Sequence, residues 1–94
     1  MLTRQTARGY TFLGRTIPDT TAACLDRYLE KHLHPGSFLD AVLSNDLKES
    51  CARGGEDNLL CLYVIVAFLW NCAPASAWGS RERFEQWIGA QEAQ

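Results

Sequence analysis

Apolar residues recur three and four positions apart along much of the chain, then merge into one unbroken run of twelve, Leu59 to Trp70 (LLCLYVIVAFLW), bracketed by Asn58 and Asn71. As a helix this run is roughly 18 Å long, well short of a roughly 30 Å hydrocarbon layer, so it predicts a buried core helix and not a membrane span. Tyr63-Val64-Ile65-Val66 has strand propensity. A strand inside so long an apolar run would lack turn residues at its ends, and length favours a helix over about 56–71. Cys61, Ile65, Phe68 and Cys72 mark one face, and Leu59, Tyr63, Val66, Ala67 and Trp70 the other. A helix apolar all round is expected to be surrounded. Three partner helices enclose it only in part, which leaves the second face available to another chain.

Three further helices are predicted around it. The first starts near Pro18-Asp19, where a missing N–H costs nothing and an acid suits the dipole. Ala22, Leu25, Leu29 and Leu33 make its stripe, and His34-Pro35-Gly36 ends it. The second runs from about Pro35–Ser37 to Gly54-Gly55, with Leu39, Val42, Leu43 and Leu47 inward; Asn45 and Asp46 are poor mid-helix residues. Ala73 to Gly79 is a turn-rich link, after which Ser80 caps a fourth helix, Arg81 to about Ala90, and residues 91–94 fray. Residues 1–16 read as a flexible or short-strand basic arm. The fold expected is therefore all-α, a compact four-helix domain over 17–90 with the 56–71 helix at its centre.

Composition narrows the chemistry. Ninety-four residues, 47% apolar, make one globular domain. Net charge is −2, but the arm holds Arg4, Arg8 and Arg15 and no acid, while the rest has six basic and eleven acidic residues. The acidic body gives no general attraction to nucleic acid or anionic membrane. The arginines of the arm, with Tyr10 and Phe12 between them, are candidate phosphate contacts. A helix-turn-helix across His34-Pro35-Gly36 is disfavoured by the acidic second helix. No apolar leader follows Met1, and the expected location is the cytoplasm.

Catalytic signatures are missing. His32 and His34 have no acid or nucleophile marked for them. Cys24, Cys51, Cys61 and Cys72 form no CxxC pair and read as buried or part-buried thiols, with no metal or cofactor implied. Binding features are better represented. Asn45 and Asp46 are a candidate polar site, and Trp78 with Arg81 and Arg83 is a candidate contact patch of residue types common at hot spots. Tyr63, Val66 and Trp70 are candidates for self-association, as a homodimer.

The series Ile17-Pro18-Asp19, Leu25-Asp26-Arg27-Tyr28, Pro35-Gly36-Ser37-Phe38-Leu39 and Ala41-Val42-Leu43-Ser44-Asn45-Asp46-Leu47 resembles a group of small, uncharacterised proteins of tailed bacteriophages and prophages. The resemblance continues through Asn58, Ile65-Val66, Trp70-Asn71, Ala73-Pro74 and Trp78-Gly79-Ser80 to Trp87. It implies an origin in a phage genome and work inside a bacterium, and brings no activity or catalytic residues. The function expected is that of a non-enzymatic accessory protein binding a host protein or defence complex, by analogy with small anti-CRISPR and other anti-defence proteins. The alternative is a small nucleic-acid-associated regulator using the arm.

Overall fold

Helix α1 (Asp19–Lys31) opens behind Pro18 and closes at His32, which takes a left-handed conformation at φ 59°. The computed structural model describes residues 6–92. After α1 come α2 (Ser37–Leu43), α3 (Leu47–Arg53), α4 (Glu56–Leu60), α5 (Leu62–Cys72), a single 3₁₀ turn (Ala75–Ala77) and α6 (Arg81–Glu92). A two-stranded antiparallel hairpin, β1 (Thr11–Phe12) and β2 (Arg15–Thr16), precedes them, with Thr11 opposite Thr16 and Phe12 opposite Arg15. The domain is thus mostly helical, with six helices and one small sheet among the described residues.

Two of the predicted helices are each divided. The second breaks at Asn45, which sits at φ 63°, a left-handed position that asparagine tolerates better than most residues. Asp46 then caps α3, accepting the Glu49 N–H at 3.1 Å. The third breaks at Cys61 (φ −108°, ψ 12°), which ends α4 and begins α5. Six short helices therefore replace the four expected.

One core holds them together. Tyr28, Leu25 and Leu29 of α1, Leu39 and Leu43 of α2, Val64, Ile65, Phe68 and Leu69 of α5 and Phe84 of α6 are all buried. Tyr28 stacks on Phe84 at 5.5 Å between centroids, and the indole N–H of Trp87 donates to the Tyr28 carbonyl at 2.8 Å. Thr21 donates to the Asn58 carboxamide oxygen, which ties α4 to α1.

The long apolar helix is covered on one side only. Leu59, Leu60, Tyr63, Val66 and Trp70 stay open to solvent, Trp70 at 79%. The shortest dimension of the molecule, 19 Å, has room for about two layers of helices. With the core on one side of α5, no third layer among the described residues covers the other. Leu33 and Leu47, expected in inward stripes, are exposed as well. Leu33 lies beyond the turn that ends α1, and the break at Asn45 puts Leu47 at the start of a new helix.

Residues 6–16 are docked against this body. Ala7 is buried, and the backbone N–H groups of Ala7 and Arg8 donate to the Asp26 carboxylate at 2.6 and 3.3 Å. Tyr10 meets Phe68 edge-on at 5.2 Å and accepts a hydrogen bond from Asn71. Leu13 and Gly14, both at positive φ, make the two-residue turn that suits the twist of a hairpin.

Candidate docking groove

The 73–79 link leaves α5 in extended form at Ala73 and Pro74, makes its 3₁₀ turn, and extends again at Trp78. Three bonds hold it. The buried Tyr28 hydroxyl donates to the Ala77 carbonyl at 2.6 Å, the Gly79 N–H donates to the Leu43 carbonyl at 2.9 Å, and Arg83 donates through one terminal nitrogen to the Ala75 and Trp78 carbonyls. Gly79 sits at φ 109°, where a side chain is strained, and a Cβ there would meet the Arg83 guanidinium at 3.4 Å. Ser80 accepts the Arg83 N–H and starts α6 as the sequence suggested.

Between this link and α5 lies an open groove of about 610 Å³, lined by Asn45, Val66, Trp70, Ala73, Ala75, Trp78, Gly79 and Arg83. Asn45, Trp78 and Arg83 from the partner-binding candidates and Val66 and Trp70 from the self-association candidates thus share one surface. Asn45 reaches it because of its left-handed turn. Among the described residues Arg83 is the only charged one in the lining. A smaller hollow beside it, sharing Asn45, Val66 and Trp78, is lined also by Asp46, Leu47 and Leu62. Asp46 is occupied there as the α3 cap. The sequence marks Leu47 only as an inward stripe residue, and Ala73 and Ala75 only as part of the turn-rich link. The small alanines that make the hollow carry no signal until the link is folded.

The remaining candidates lie elsewhere. Arg81 points away from the groove and donates to Asp40 at 2.7 Å, while His34 meets the other Asp40 oxygen at 3.2 Å. Arg53 approaches the same carboxylate at 3.9 Å. Burial alone would raise the Asp40 carboxyl; the hydrogen bonds from Arg81 and His34 outweigh it and hold the group below the usual carboxylate range. The hydrogen bond to Asp40 raises Arg81 in turn. Tyr63, on the exposed side of α5, donates its hydroxyl to the Leu13 carbonyl and so braces the hairpin turn. Arg8 and Arg15 are exposed, and Arg4 lies outside the described residues.

His32 contacts the Trp87 carbonyl at 2.7 Å through its ring. Cys51 is exposed, against the expectation of a part-buried thiol, because α3 turns it outward. Burial raises the Cys72 thiol. Among the described residues no group of three or more His, Cys, Asp or Glu side chains could hold a metal ion, and no helix is long and apolar enough to cross a membrane.

Comparison of the chain with protein-family models, curated proteins and solved structures finds no match to any of them.

Proposed function

We propose that this is a non-enzymatic binding protein, a bacteriophage accessory factor that occupies a protein of its bacterial host in the cytoplasm and thereby modulates or inhibits it. The observation that carries the binding half is the groove between α5 and the 73–79 link, rimmed by the exposed Trp70. Tryptophan and arginine are the residue types that dominate binding energy at protein interfaces, and here Trp70, Trp78 and Arg83 converge on one surface. The phage origin rests on the resemblance over residues 17–88. Host defence as the target process is analogy with small anti-defence proteins.

A nucleic-acid-associated regulator is the second reading, favoured by the exposure of Arg8 and Arg15 on residues 6–16. One experiment separates the two. Tagged protein at low concentration is used to capture partners from bacterial lysate, with half the lysate treated with nuclease, beside a Trp78→Ala, Arg83→Ala variant and an Arg4→Ala, Arg8→Ala, Arg15→Ala variant that leaves the buried Ala7 and Tyr10 in place. A stoichiometric protein that survives nuclease and is lost with the double variant supports the first reading. Nucleic acid that is recovered by the wild-type chain and lost with the triple arginine variant replaces it with the second.

A further inference from the structure

The groove and the exposed tryptophan beside it have complementary chemistry. Trp70 is a large aromatic knob, 79% exposed, in the lining of a hollow that also includes two small residues, Ala73 and Ala75. The hollow offers what a buried indole needs. Arg83 is held in the lining by the Ala75 and Trp78 carbonyls and is exposed, and a guanidinium is a cation that attracts an aromatic face. Asn45 brings a carboxamide whose oxygen can accept an indole N–H, and no side-chain hydrogen bond engages it among the described residues. Trp70 cannot serve its own groove, since it forms part of the wall. A second copy, turned by a two-fold axis over Val66, can: each Trp70 then enters the other chain's groove. Knob and hole on one face are what an isologous dimer requires.

The area agrees. Leu47, Tyr63, Val66 and Trp70 leave on the order of 500 Å² of apolar surface open. A standard interface covers about 800 Å² per partner, of which about 65% is apolar in homodimers. The face thus supplies the apolar core of one such interface, and Asn45 and Arg83 begin its polar rim.

We infer that the protein forms a symmetric homodimer in which Trp70 of each chain seats in the partner chain's groove, against Trp78, Arg83 and Asn45. This rests on the reading of the groove as a docking surface and adds its regulation: the dimer covers the face that a host protein would use, so a partner competes with the second copy.

Sedimentation of the purified chain, with no partner present, tests it separately from any capture experiment. The apparent mass is expected to rise with concentration from 10.5 kDa toward twice that value. Trp70→Arg is expected to weaken association by about 30-fold or more. Ala75→Trp fills the hollow in each chain while leaving Trp70 in place, and it too should yield monomer, with an unchanged far-ultraviolet circular dichroism spectrum in both variants. A wild-type chain that stays monomeric at several hundred micromolar overturns the inference. So does an Ala75→Trp chain that dimerises as tightly as wild type.

Discussion

The Tyr28 hydroxyl and the Ala77 carbonyl oxygen are joined by a buried 2.6 Å hydrogen bond that spans 49 residues of sequence. It connects the last turn of the first helix to the link that walls the groove, so the groove's shape depends on the core. The environment of the phenol is apolar enough that burial raises its pKa well above the usual tyrosine value. Tyr28→Phe leaves the Ala77 carbonyl buried without that donor. It should cost about 1–2 kcal/mol in urea unfolding and weaken partner capture or dimerisation more than the stability loss alone explains.

The Asp40 cluster makes the stability of the fold depend on pH in the acid range. Its carboxyl is held below the unfolded value of 3.8, so its contribution is complete above that pH and is lost as pH falls through the depressed folded value. Arg81 and His34 are about half exposed, and solvent screening keeps the cluster's worth to about 1 kcal/mol. Asp40→Asn should lower the urea midpoint at pH 7, and the gap from wild type should close as pH falls below about 4. A gap that persists unchanged at pH 2.5 would remove this account.

Capping by Asp46 fixes where α3 starts and hence where Leu47 lies. Asp46→Ala should destabilise the domain by about 1 kcal/mol, and Asp46→Ser should restore most of that. Unfolding curves for the three proteins suffice to check it.

Leu13 occupies the first central position of the hairpin turn at φ 52°, where asparagine is preferred. Its side chain is 76% exposed, so little packing is lost on replacement. Leu13→Asn should therefore stabilise the protein by about 0.5–1 kcal/mol and slow amide exchange in residues 10–16. Faster exchange would mean that the turn has another geometry.

Helix ends governed by local chemistry were legible in the sequence. Pro18-Asp19 and Ser80 mark the starts of α1 and α6 because proline, acid and hydroxyl act within one turn. The Asn45-Asp46 break was half legible: both residues stood out as poor in a helix, but choosing a break over a strained helix required knowing that Asp46 would find the Glu49 N–H. Nothing in Leu60-Cys61-Leu62 announces the break there. The docking of residues 6–16 depends on Asp26 and Asn71, partners distant in sequence, and so has no local signature. The groove is the same case. Its residues were singled out separately, by type, but only the folded link brings Trp78 and Arg83 to Val66 and Trp70.

The most direct test of the Val66–Trp70 face as a protein interface is site-specific photo-crosslinking in bacterial cells, with a photoreactive phenylalanine analogue at Val66 and, for comparison, at the exposed Glu30 of α1. The account predicts discrete adducts from position 66, either a doubled chain or a chain joined to one host protein, and none of comparable yield from position 30. Equal adduct formation from both positions, or none from position 66 in a folded chain, would contradict it.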